Sequence, residues 1–123
     1  MSGINYAADT NALIYLLSGN QCMEPYLSAS LLVSVISEME LLSFPELREG
    51  EEKTIRAFLD ACAVLPLNTG VKETAIFLRR KYRVKLPDAI VAATAVSYGV
   101  PLLTADKGFT RISELQLILL MPE

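Results

Sequence analysis

The feature that most constrains this chain is a series of short apolar runs that do not alternate with polar residues. Residues 31–36 (LLVSVI), 101–104 (PLLT) and 117–120 (LILL) are apolar on both parities, and residues 4–8 (INYAA) are mostly so. A strand with one wet face alternates, whereas a strand covered on both faces reads as a continuous apolar run. Between the runs lie segments with helical spacing: Ala12, Leu13, Leu16 and Leu17; Ile55, Phe58, Leu59 and Cys62; Val71, Ala75 and Leu78. Strands alternating with helices predict an α/β chain, with a central parallel sheet of four to five strands between two helical layers.

Punctuation sets the expected boundaries. Ser18, Gly19 and Asn20 stop the first helix, and a turn or short helical piece is expected around Pro25 and Tyr26. The run at 31–36 is read as a strand throughout, with Ser37 opening a helix to Leu42 before Pro45. Residues 64–67 read as a strand near a sheet edge, because Pro66 cannot donate to a ladder. A helix is expected over 69–81, and another from Pro87 to Gly99. The runs at 4–8, 31–36 and 102–104 are expected at or near the centre of the sheet. No repeat or linker interrupts the pattern, so residues 1–123 are expected to form one domain.

Hydrophobic residues make up 52% of the 123, an excess that predicts a homodimer or larger assembly. Cys22 and Cys62 stand apart in no metal-like spacing, which suits a reducing, cytoplasmic setting. The apolar stretch 4–17 is broken by Asp9, Thr10 and Asn11 and lacks a basic leader, so neither a signal peptide nor a membrane span is expected. Net charge is −3, so any polyanion must be met by local basic patches or metal ions. Histidine is absent, which excludes Ser-His-Asp and Cys-His catalysis, HExxH zinc sites and paired imidazoles. Hydrolytic chemistry here must rest on carboxylates, lysine or metal.

Four acids stand where an open parallel sheet places its sites, beyond the carboxyl ends of the strands. Asp9 closes the first run, Glu40 follows the second, Asp88 heads the alanine-rich helix and Asp106 follows Leu102, Leu103 and Thr104. Each also has a local structural explanation. Asp9 can cap a helix, Ser37-x-x-Glu40 fits a capping box, Asp88 suits a first helical turn, and Asp106 can open a turn with Gly108. Together the four would repel one another unless cations neutralise them, and an all-oxygen set selects Mg2+ or Mn2+.

The segments AADTNALIYLL, VSVISEMELL, LPDAIVAATAVSYGVPLLTADKGF and LQLILL resemble, in order, the successive motifs of PIN domains, particularly VapC-type toxins. The resemblance implies a PIN-like three-layer fold and a metal-dependent endoribonuclease, with Asp9, Glu40, Asp88 and Asp106 as metal-binding and catalytic acids. It matches Thr10 or Asn11 to the polar residue after the first acid, and Thr104 to the hydroxyl that orients the last. Glu38 competes with Glu40 but fits the family spacing less well. The resemblance also implies an RNA substrate and a small antitoxin partner. Two other strand-Asp families fit poorly: haloacid-dehalogenase phosphatases need Asp-x-Asp where Asn11 stands, and receiver domains need an acidic pair where Ala7 and Ala8 stand. A PIN-fold interaction module without catalysis is the alternative reading.

Arg79, Arg80, Lys81, Arg83 and Lys85 form a basic cluster around Tyr82, just before Asp88. Cations suit a helix C-terminus, and the same cluster could grip RNA phosphates, with Tyr82 stacking on a base. Lys107, beside Asp106, is a further candidate phosphate contact. Leu41, Leu42, Phe44 and Leu47 are either core or part of a groove for a partner.

Overall fold

The computed structural model describes residues 3–123. Strands β1 (Tyr6–Ala8), β2 (Leu31–Ser34), β3 (Ala63–Leu65), β4 (Leu102–Thr104) and β5 (Leu117–Leu119) form one sheet in the order β3-β2-β1-β4-β5. All four pairings are parallel, with Ala7 aligned to Leu32 on one side and Leu102 on the other. The expected central position of the first strand is met, and so is the edge position of the strand expected over 64–67, although that strand is Ala63–Leu65 and Pro66 lies just beyond its end.

Two apolar layers explain why the strands are apolar on both parities. Ala7, Leu32 and Leu102 face the core beneath α4 (Thr69–Tyr82) and α5 (Leu86–Tyr98). Their neighbours Ala8, Leu31, Val33 and Leu103 face the opposite core. There they meet Leu13 of α1 (Thr10–Leu17), Leu41 of α2 (Val35–Leu42) and Leu59 of α3 (Glu49–Asp60). Successive side chains on a strand point to opposite faces, so both parities must be apolar. Residues 89–95 of α5 are all buried, which is why small alanines dominate a helix pressed between α4 and the sheet. Among the described residues, no helix is long and apolar enough to cross a membrane.

The second strand corrects the sequence reading. It ends at Ser34, and α2 begins at Val35 rather than at Ser37. Ser34 is the cap, its hydroxyl accepting from the Ile36 N–H at 3.2 Å. Val35 and Ile36 are β-branched and apolar, so composition favoured a longer strand, but the capping serine decided the frame. Ser37 is fully buried inside the helix, its hydroxyl hydrogen-bonded to that of Thr10 at 3.0 Å. Glu40 therefore belongs to no capping box. It lies in the second turn of α2.

Candidate active site

β1 has β2 on one side and β4 on the other, so the chain leaves the central strand in one direction and later returns on the opposite side. At such a switch point a crevice opens beyond the carboxyl ends of the strands. Asp9, Glu40, Asp88 and Asp106 all line that crevice, with Thr10, Asn11 and Phe109 among its walls. The four acids arrive from β1, α2, the first turn of α5 and the turn after β4. Asp9 and Asp88 thus stand at the same end of the sheet, as the strand-end argument requires.

Asp9 is the deepest, only 7% exposed. One carboxylate oxygen caps α1 by accepting from the Ala12 N–H at 2.8 Å, and the other accepts from the buried Thr104 hydroxyl. Thr104 in turn accepts from the Asp106 N–H at 3.0 Å. Its hydroxyl therefore orients the first acid directly and tethers the backbone of the last, a relay that joins residues 9 and 104 across β1 and β4. Burial pushes the Asp9 carboxyl above its ordinary value of 3.8; the two hydrogen bonds oppose this, and the nearby charges of Asp106 and Asp88 add to it. Asp88 is raised for the same leading reason, burial, reinforced by Asp106 and Glu40 and opposed by Lys85. The Glu40 carboxylate accepts from the Thr10 hydroxyl at 2.5 Å. Asn11 is exposed on the wall of the crevice. Asp106 caps the short turn that follows it, accepting from the Gly108 N–H at 2.8 Å. The capping explanations for Asp9 and Asp106 hold, yet both acids still face the shared crevice.

The donor set suits a hard, oxygen-preferring cation: carboxylates without imidazole or thiolate, two of them held above their ordinary pKa partly by their neighbours' charge. Among the described residues, no three acidic or cysteine side chains stand close enough together to hold a metal ion as they are arranged. The arrangement is an open rim of like charges.

Of the basic cluster, Lys81 is committed to Glu114, 2.9 Å away, and lies 5.2 Å from the Tyr82 ring centre. The Tyr82 hydroxyl donates to Glu114 at 2.6 Å, and its ring packs against the core, so it is not a free stacking platform. Glu114 is accordingly held down to about 2, by Tyr82 first and Lys81 second. Arg79, Arg80 and Arg83 line a cleft with Ile76 and Leu86. Arg83 and Lys85 line a second cleft that contains Asp88 and Phe109 and therefore adjoins the acids. Sequence reasoning missed Arg111 in that second cleft. It stands beyond Lys107 in the chain, and nothing in its local pattern marks it. Lys107 is exposed and lines neither cleft.

An apolar groove lies on the other side of Glu40, walled by Ile14, Leu17, Phe44, Leu47 and Ile55. It shares Ile14, Glu40 and Phe44 with the acid crevice. Leu41 is core, whereas Phe44 is 62% exposed at the groove's edge.

A comparison with curated proteins finds no significant match. Among solved structures, a toxin-antitoxin complex from Klebsiella pneumoniae is similar at 29% identity and TM-score 0.80, over 93% of this chain and 96% of that one. VapBC-1 from nontypeable Haemophilus influenzae is similar at 23% identity and TM-score 0.82, over 94% and 98% respectively. VapBC2 from Rickettsia felis, bound to a DNA fragment from its promoter, is similar at 19% and 0.81, over 96% and 100%. The last two likenesses concern the fold. The sequence also matches the PIN domain family over residues 6–115, so the five-stranded parallel sheet, its helical layers and the crevice at its carboxyl end are those of a chain that belongs to the PIN domain family.

Proposed function

We propose that this chain is a metal-dependent endoribonuclease and the toxin of a toxin–antitoxin pair, acting in the cytoplasm as one domain over residues 1–123. The observation that carries the reading is the gathering of Asp9, Glu40, Asp88 and Asp106 along one crevice in a PIN-family chain. In this reading the four acids hold Mg2+ or Mn2+, which when bound supplies charge neutralisation and Lewis acidity at a phosphodiester. Thr104 and the Ala12 N–H keep Asp9 oriented, and Thr10 does the same for Glu40. The burial of Asp9 keeps water from screening its charge, which strengthens its hold on a cation.

The partner is a small antitoxin, and its segment is assigned to the apolar groove. Similar solved structures are toxin–antitoxin complexes, and an occupant of that groove would border the acids through Ile14, Glu40 and Phe44. A homodimer is proposed from exposed apolar side chains on and around α4, such as Ile76, Phe77 and Leu86. Light scattering reads that directly, and a monomer mass at micromolar concentration would refute it.

The deciding experiment for activity incubates the purified chain with single-stranded RNA in Mn2+, Mg2+ or chelator. Cleavage in either metal and none in chelator is expected. Metal binding without cleavage of any RNA would favour the alternative, a PIN-fold interaction module.

A further inference from the structure

Arg83 is the one non-glycine residue with a positive φ, +57°, among the described residues. It ends α4 in the left-handed conformation, its N–H donating to the Arg79 carbonyl at 2.8 Å. The other two positive-φ positions, Gly19 and Gly99, carry the residue that adopts this conformation without strain. An arginine here strains the backbone, and its side chain makes no hydrogen bond or ion pair within the described residues. Nothing inside the protein uses the guanidinium that the strain preserves. A backbone outlier kept without an internal reward points to a task at the surface.

The surroundings show what that task can be. Arg83 stands with Lys85 and Arg111 in a cleft of about 220 Å³, and that cleft shares Asp88 and Phe109 with the acid crevice. The cleft sets three cations against one carboxylate, Asp88, which Lys85 already partly offsets, so an excess of positive charge is left for an entering anion. In a chain of net charge −3 such a grouping is not a general property of the surface. A cleft of this volume has room for a phosphate of a single strand.

We propose that Arg83, with Lys85 and Arg111, binds a backbone phosphate of single-stranded RNA next to the phosphate presented to the acids. This rests on the ribonuclease reading above. Arg83 is then a substrate-binding residue retained at the expense of a better helix cap, and the strand runs from the acid crevice past Asp88 into the basic cleft.

The test compares the parent chain, Arg83→Gly, Arg83→Gln and the control Lys53→Gln, whose exposed lysine sits on α3 beside Glu49. Binding of a labelled single-stranded RNA is followed by anisotropy over a salt series in chelator, so the strand stays whole. Thermal melts and cleavage kinetics in Mn2+ accompany it. Arg83→Gly is expected to melt at or above the parental temperature because it relieves the backbone strain. Both Arg83 variants should weaken binding about tenfold, the loss expected for one charged hydrogen bond to phosphate. Each should reduce the slope of log K against log salt by about 0.7, the value of one single-strand phosphate contact. KM for cleavage should rise with the dissociation constant, and Lys53→Gln should change neither. Parental affinity and slope in the Arg83 variants would overturn the proposal, and so would a lower melting temperature for Arg83→Gly. If the parent cleaves RNA while Arg83→Gly keeps its KM, the basic cleft is refuted and the nuclease reading stands. If no RNA is cleaved but the binding contrast persists, the nuclease reading fails and the phosphate site survives.

Discussion

Replacing Asp9 with asparagine separates the metal reading of the acid crevice from the capping reading. The asparagine keeps the side chain's shape and can still cap the Ala12 N–H through its carbonyl. Its amide then faces the Thr104 hydroxyl where a carboxylate oxygen had accepted a proton, so one charged hydrogen bond is lost. That loss costs roughly 1.5–3 kcal/mol. Against it stands the relief of removing a buried charge that Asp106 and Asp88 already disfavour. The two effects oppose each other, so the metal-free variant should stay within about 1 kcal/mol of the parent, or about 4 °C at this length. Metal changes the comparison. At a hundredfold excess over its dissociation constant, Mn2+ stabilises the parent by about 2.7 kcal/mol, or roughly 10 °C. Asp9→Asn should lose most of that shift. Loss of a residue that merely supports a metal ligand already costs 10–100-fold, so RNA cleavage should fall by more than about a hundredfold. Parallel melts with and without Mn2+, together with one cleavage assay, give all three readings. A parent that shows no metal shift, or a variant that cleaves like the parent, would refute the reasoning.

Thr104→Val should destabilise the chain by about 2 kcal/mol and impair cleavage, because Asp9 loses its donor and the Asp106 N–H its acceptor; Thr104→Ser should restore both, and equal behaviour of the two would discount the relay. Ser34→Ala should lower the melting temperature by about 4 °C through loss of the α2 cap, while Glu40→Gln should change it by less than about 2 °C. A larger loss for Glu40→Gln would revive the Ser37 frame. The carboxyls of Asp9 and Asp88 both lie above their ordinary 3.8 in the folded protein, so the folded state binds their protons more tightly than the unfolded chain does. The stability tied to them is full below about pH 3.8 and lost as pH rises through the folded values. In metal-free melts the difference between parent and Asp9→Asn should therefore move against the parent from about pH 4 upward, and a flat difference would contradict the burial of Asp9. Glu114 has the opposite sign, contributing above its ordinary 4.5 and losing that contribution as pH falls toward 2.

The sheet was legible in the sequence because its physics is local and repetitive. LLVSVI and PLLT are apolar on both parities, and only a strand covered on both faces tolerates that composition. Asp9, Asp88 and Asp106 could be placed at one end for the same reason, since each adjoins a strand end or a helix start that the pattern marks. Tertiary structure decided what the pattern does not encode. The frame of α2 turned on which of two serines caps it, and a β-branched run cannot distinguish them. The bond from Thr104 to Asp9 spans 95 positions and exists because β4 lies beside β1, a consequence of strand order rather than of either residue's neighbourhood. In the sequence the cations around Tyr82 look equivalent. Folding commits Lys81 to Glu114, turns Arg83 into the left-handed cap and brings Arg111 from nearly thirty residues away to stand with it. Periodicity is a property of short segments. Which side chains share a cleft depends on contacts between segments distant in the chain, and those are set only when the two apolar layers close over the sheet.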